Sequence, residues 1–368
     1  MLKQNKNFPL KFLALKVVHS FTKDEKMKEM VVKTEGTLQH FLSFLNHKET
    51  TREAILLSLD SLKTHFLSSQ QVDKIQLDSI LSSLLPLLSS QQTQLDLLSS
   101  EEFQLSLLTL FSLLSENDSL KDSLRKSSLI SSISPFLNSK SEEIVLKLVT
   151  CLFNLLDSTC YQQFVKNDNI DQLRQILSSF QKVSIQEKAT RILVSMIRET
   201  PKLEWMREVV LTKEVASTLR TSLLSPSIQV SDEAAVGLCY LFQKDKPQSL
   251  KKEVSSVIPI IFRKLNNSNT EMQLVIRIFS IFTEVEKLGG TRQYFFQILP
   301  QMLRWSLVIA DNVRAPLMKI LITLCSDENS KKSLNLPLIS RAMEKLTTLT
   351  TNQAICNAAN KIISFCKS

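Results

Sequence analysis

Residues 36–67 read GTLQHFLSFLNHKETTREAILLSLDSLKTHFL, two helical segments joined by a polar turn. Gly36 interrupts whatever precedes it, and Leu38, Phe41, Leu42 and Leu45 then recur at the spacing of one helix face. The HKETT segment turns the chain, and Ala54, Ile55, Leu59 and Leu62 supply the buried face of a second, longer helix. Ala54 is small where a neighbouring helix has to approach closely. Small residues return early in later helices at Ala189, Ala234, Ala315 and Ala358.

The end of that second helix is the start of a ladder. A pattern of apolar, any, small polar, apolar occurs at Val18–Phe21, Leu59–Leu62, Leu110–Leu113, Leu152–Leu155, Leu193–Met196, Leu238–Leu241, Ile278–Ile281, Leu321–Leu324 and Ile362–Phe365. Its steps are 41, 51, 42, 41, 45, 40, 43 and 41 residues. A second ladder of opening segments passes through Leu38, Ile80, Leu129, Ile170, Val215, Val257, Ile298 and Ile339, with steps of 42, 49, 41, 45, 42, 41 and 41. Two independent markers with one period of roughly 40–47 residues identify a helical repeat array. Both lengthen at the same place, where the Ser/Gln-rich stretch near 89–100 predicts a surface loop within one repeat.

Composition agrees with helices. Four Gly and ten Pro in 368 residues leave little with which to build tight turns or phosphate-binding loops, and 43% hydrophobic residues can fill a core from end to end. Cys151, Cys160, Cys239, Cys325, Cys356 and Cys366 form no CxxC pair and mostly lie in apolar runs, as core thiols do. The apolar stretch from Phe8 to Val18 is broken by Lys11 and Lys16, which predicts no signal peptide, and no run reaches the length of a membrane span. A cytoplasmic protein is expected, with the nucleus also open to it. The net charge of +9 is uneven: 1–130 is neutral, 131–199 carries +1 and 200–368 carries +8.

The Gly36–Leu45 and Ala54–Leu62 pair, with Ile185–Met196 and Val230–Leu241, resembles the armadillo-repeat family, whose unit often follows a Gly and closes on Ala, apolar residues, then Leu-any-Asn-Leu. HEAT repeats are the nearest alternative, above all for the C-terminal units. The resemblance covers nearly the whole chain. It implies an all-α, right-handed α-solenoid of about eight to nine armadillo-like repeats over residues 1–368, with a partial first repeat at 1–35. It further implies a concave groove lined by the closing helices, in which family members hold an extended peptide with the ladder Asn. Here that third ladder position reads Ser20, Ser61, Ser112, Asn154, Ser195, Tyr240, Ser280, Thr323 and Ser364, so Asn is kept only at Asn154. One turn earlier stand Lys16, Leu57, Leu108, Thr150, Arg191, Val236, Ile276, Lys319 and Asn360, where importin-like arrays carry Trp. Ser61, Ser112, Asn154, Arg191, Ser195, Tyr240, Ser280, Lys319 and Thr323 are the candidate groove residues. Their mixture of aliphatic, hydroxyl and basic groups suits an amphipathic or acidic helix, with Arg191 and Lys319 meeting carboxylates.

Catalytic and cofactor motifs are missing: no GxSxG, no GxxxxGK[ST], no HExxH, and the pair Gly289-Gly290 lacks nucleotide-loop spacing. No cofactor is expected. His19, His40, His47 and His65 have no i, i+4 pairing, so they read as surface or turn residues rather than metal ligands. Trp205 and Trp305 read as half-buried packing, and Ser134-Pro135, Thr200-Pro201 and Ser225-Pro226 as helix boundaries. The sequence therefore predicts a non-enzymatic scaffold or adaptor for a protein partner. Its rivals are a nucleic-acid or anionic-membrane binder acting through the basic C-terminal half, and a chaperone-associated armadillo module. Leu10, Leu13 and Val17 at one end, and Ile355, Ile362 and Ile363 at the other, are expected to lack cover, which predicts a longer natural chain or self-association through an end.

Overall fold

A computed structural model describes residues 8–34, 36–45, 50–68, 74–88, 97–165, 168–241, 292–308, 311–332 and 334–367. All regular structure among these residues is helical. The chain divides into two compact units, residues 1–196 and 197–368. Ladder positions at Val257, Ile276, Ile278, Ser280 and Ile281 lie outside the described residues, as does His47.

In the first unit, long helices form one row. These are α1 (Phe8–Thr22), α4 (Arg52–Ser68), α6 (Glu101–Glu116) and α9 (Glu142–Leu155), each packed on the next. A second row is made by α3 (Thr37–Leu45), α5 (Lys74–Leu88), α8 (Leu129–Ile133) with the 3-10 turn Ser134–Asn138, and α11 (Asn169–Ser179). Short helices α2 (Glu25–Lys33), α7 (Asp118–Lys126) and α10 (Tyr161–Val165) each follow a long helix within this first unit, and α12 (Val183–Glu199) follows α11. Two shorter helices followed by a long one thus recur in order, except at α5, before which a single helix is missing from the described residues.

Local chemistry sets these boundaries. Asp24 accepts from the backbone N–H groups of Lys26 and Met27 at 2.9 and 3.0 Å and so starts α2. Thr51, Ser100 and Asn117 cap α4, α6 and α7 in the same way, each interaction stabilising its helix by about 1 kcal/mol. Gly36 holds φ of 81°, a conformation other residues resist, immediately before α3. Ala54, Ile55, Leu59 and Leu62 are all buried, as the sequence requires. The expected surface loop near 89–100 is corrected in part: 89–96 lies outside the described residues, while Leu97–Ser99 is a 3-10 turn that buries Leu97 and leads into the Ser100 cap.

The second unit contains α13 (Arg207–Val210), α14 (Lys213–Leu223) and α15 (Ile228–Leu241), the last two packed together. Further along the chain come α16 (Arg292–Val308), α17 (Asp311–Ser326), α18 (Glu328–Lys331), α19 (Leu336–Leu349) and α20 (Gln353–Lys367). α16 packs on α19 and α17 on α20, again two rows, with the short α18 on α17. The Thr350 hydroxyl reaches the Asp311 carboxylate at 3.4 Å, tying the start of α17 to the turn before α20. Ala189 and Ala234 are buried, but Ala315 is exposed and Ala359, not Ala358, is the buried small residue of α20. The register read from the sequence is thus displaced in these last helices. Ile355 and Ile362 are buried as well, so the expected uncovered C-terminal face is much reduced.

Candidate functional site

The row α1–α4–α6–α9 is stitched by side chains about one repeat apart. His19 Nδ1 stands 3.1 Å from Ser61 Oγ. The Cys151 thiol points at the Phe111 carbonyl at 3.7 Å, and Asn154 Nδ2 donates to Ser115 Oγ at 3.0 Å. On α12, Ser195 shares a 2.8 Å hydrogen bond with the Tyr161 hydroxyl. These bonds spend Ser61, Ser195 and the single ladder amide, Asn154, inside the stack, whereas the exposed Ser20 and Ser364 return their hydroxyls to the Val17 and Lys361 carbonyls of their own helices.

That outcome revises several expected site residues. Ser61 and Ser112 are buried, so neither hydroxyl is offered to a partner. Asn154 and Ser195 are half-buried and engaged as above. Arg191 stays half-exposed, paired with Glu187 at 3.1 Å and lying with Lys188 over the Phe153 ring at 5.9 and 5.4 Å. Tyr240, Lys319 and Thr323 belong to the second unit, with Lys319 exposed and the Thr323 hydroxyl returned to the Lys319 carbonyl at 2.9 Å. Ser280 lies outside the described residues. Arg191, Asn154 and Ser195 are thus brought onto α9 and α12 of one unit, while the other candidates are dispersed.

An open cleft of about 650 Å³ lies along α1, α4 and α6. Leu56 and Leu57 give it an apolar floor, and Glu53, Asp60 and Glu102 give it an acidic rim with Arg52 among them. Lys16 pairs with Glu53 at 2.8 Å and Lys63 with Asp60 at 2.5 Å. Arg52 bonds the Ser100 hydroxyl and lies 3.9 Å from Glu102. Acidic residues also occupy the first turns of successive row helices, Glu53 on α4, Glu101 and Glu102 on α6, Glu142 and Glu143 on α9. They favour the helix N-termini electrostatically, and they also line one end of the row with negative charge. The repeated Thr-Arg-Glu-Ala, Ser-Glu-Glu-Phe and Ser-Glu-Glu-Ile segments carry this signal in the sequence, at the opposite end of each helix from the ladder.

His19 contradicts its reading as a surface residue: it is buried at the α1–α4 seam, as His65 is within α4. Burial first, then the Lys23 charge, lowers the His19 imidazole below its usual value, against an opposing pull from Asp60. The Ser61, His19 and Asp60 trio has the residue types of a hydrolytic triad but not its geometry. Ser61 is fully buried inside a helix, and Asp60 lies 3.7 Å from His19 Nε2, beyond a hydrogen bond. No substrate carbonyl can reach that hydroxyl. Among the described residues no group of three His, Cys, Asp or Glu side chains is placed to hold a metal ion. Ser134 and Thr200, each before a proline, are buried in 3-10 turns, whereas Trp205 is exposed rather than half-buried.

No family model matches the chain, and no curated relative does. Among solved structures, it is similar to an engineered protein from the Northeast Structural Genomics Consortium, with a TM-score of 0.64 and 13% identity over 97% of this chain and 95% of that one. A second engineered protein from the same consortium aligns with a TM-score of 0.49 and 13% identity over 68% of this chain and 97% of that one. The first of these likenesses concerns the fold alone. None of the described helices is long and apolar enough to cross a membrane.

Proposed function

We propose that this protein is a non-enzymatic scaffold, an armadillo-like α-solenoid that grips an amphipathic helix on the row formed by α1, α4, α6 and α9. The observation carrying this reading is the cleft along the first three of these helices, apolar at Leu56 and Leu57 and acidic at Glu53, Asp60 and Glu102. Its occupant would set aliphatic side chains on the floor and a Lys- or Arg-bearing edge against the carboxylates. Glu187 pairs with Arg191 just as Lys16, Lys63 and Arg52 pair with Glu53, Asp60 and Glu102, so a partner helix of either charge would exchange an existing ion pair for its own. The three-helix unit, two shorter helices ahead of a long one, supports the armadillo rather than the HEAT form of the repeat.

Selection of displayed random peptides against the full chain, with D60K/E102K protein as the counter-target, tests the reading. Enriched sequences are expected to place apolar residues at helical spacing beside Lys or Arg. Enrichment of acidic sequences, or of sequences that bind D60K/E102K equally, would overturn it.

A further inference from the structure

In the second unit, α19 buries one side and shows a strip of different composition to solvent. Ile339, Met343 and Leu346 are buried at helical spacing, as suits a helix packed on α16 and α20. Leu338, Arg341, Lys345 and Leu349 also follow one another at three and four residues, which places them along one side of the helix. Leu338 and Leu349 are 46 and 55% exposed, and both cations are exposed too. A lone exposed leucine is ordinary, whereas two that bracket two cations form a continuous amphipathic strip. At 1.5 Å per residue the strip is about 16 Å long, three turns of helix.

The charges of the strip are unanswered. Nearby, Arg314 pairs with Asp311 at 2.6 Å and Lys331 with Glu328 at 2.8 Å. Glu344, the acid of α19, is taken by Lys367 of α20 at 3.5 Å and by the Ser340 hydroxyl at 3.3 Å. Among the described residues neither Arg341 nor Lys345 forms an ion pair. A carboxylate that reaches them gains a partner without breaking an existing pair, unlike one that reaches Arg191. The excess of +8 over residues 200–368 also draws acidic segments toward this unit.

We propose that this strip of α19 is a docking surface for an acidic amphipathic helix of another protein. Aliphatic side chains of that helix lie against Leu338 and Leu349, and its carboxylates meet Arg341 and Lys345. A helix fits because its own side chains recur every three and four residues, in step with the strip. The leucines supply the apolar contact that holds the partner, and the cations orient it and speed its arrival. A nucleic-acid strand would meet the same cations but find no aromatic ring in α19 on which to stack a base.

Fluorescence anisotropy with the full chain tests the surface. The probe is a labelled alanine-based helical peptide with leucines spaced as Leu338 and Leu349 are and two glutamates between them. Binding is expected, weakened about tenfold or more by R341E/K345E and likewise by L338S/L349S. None of these four side chains is buried, so both variants should keep the wild-type melting temperature. K126E/K213E changes the net charge by the same amount at exposed positions off α19 and should bind as wild type. Four outcomes would overturn the proposal: no binding to the wild type, no loss in R341E/K345E or in L338S/L349S, an equal loss in K126E/K213E, or full displacement of the probe by single-stranded DNA at equal charge. The last would make the strip a polyanion surface instead.

Discussion

His19 of α1 meets Ser61 of α4 across one repeat interval, ring nitrogen to hydroxyl at 3.1 Å, with neither side chain open to solvent. Two helices whose apolar faces would pack in several registers are fixed in one by this bond, since a shift strands two buried polar groups. H19A should cost about 1–3 kcal/mol, the range for leaving such a partner unsatisfied. Urea denaturation of the variant would show it, and an unchanged midpoint would mean the seam is held by apolar packing alone.

Acid should loosen the same region. Burial is the first cause lowering His19, His40 and His65 below the ordinary 6.5, joined by Lys23 at His19 and Lys11 at His40. The unfolded chain then takes up protons first as pH drops, so the stability is fully present above 6.5 and is lost as pH falls through the lower folded-state values. Denaturation midpoints measured between about pH 7.5 and about pH 5 should decline, and H19Q should decline less. A midpoint flat across that window would refute the assignment.

Arg191 offers a test of sign. With Glu187 and Phe153 as its neighbours, R191E places like charges one helical turn apart, a loss of only a few tenths of a kcal/mol. A partner with a basic edge should bind R191E more tightly, and an acidic one more weakly. Fluorescence anisotropy with the selected peptides would read the direction, and F153A should weaken either one about tenfold if the half-exposed ring is an anchor.

The sequence displayed the long helices well because their inner apolar positions, Leu59 and Leu62, Leu152 and Leu155, Leu193 and Met196, repeat at one period and are all buried. It displayed the site poorly. A helix turns about 100° per residue, so an error of one position moves a side chain from the open face to a seam. His19 rather than Ser20 meets Ser61, and Ser112 turns inward. The cleft depends on α1, α4 and α6 lying side by side, and two of its three acids, Glu53 and Glu102, sit at helix starts, away from the helix ends that carry the ladder.

Polyanions provide a further check, since 200–368 carries +8. Arg304, Lys319, Arg341, Lys345 and Lys361 are all exposed in the second unit. Heparin or single-stranded DNA should bind only weakly and be released by moderate salt, because few aromatic side chains stand among these charges to stack with bases. Submicromolar affinity at physiological salt in an anisotropy titration would move the function to the nucleic-acid reading.

On α1, Leu10, Leu13, Val17 and Phe21 are exposed to 67, 60, 45 and 39%. Their spacing of three and four residues places them along one side of the helix, while Leu15 and His19 are buried on the other. Each such side chain gains about 1.5–3 kcal/mol when fully buried. Four in one stripe are therefore enough to drive two surfaces together at moderate concentration, and contiguous apolar patches of that kind usually mark interfaces. The 368-residue chain is expected to self-associate through α1 in a concentration-dependent way. L13E/V17E should shift it toward monomer without loss of helical signal, because neither side chain is buried in the fold. Light scattering across a hundredfold concentration range decides the matter: a wild-type chain that remains monomeric throughout, or a dimer indifferent to L13E/V17E, would show that the stripe does not join copies of this chain.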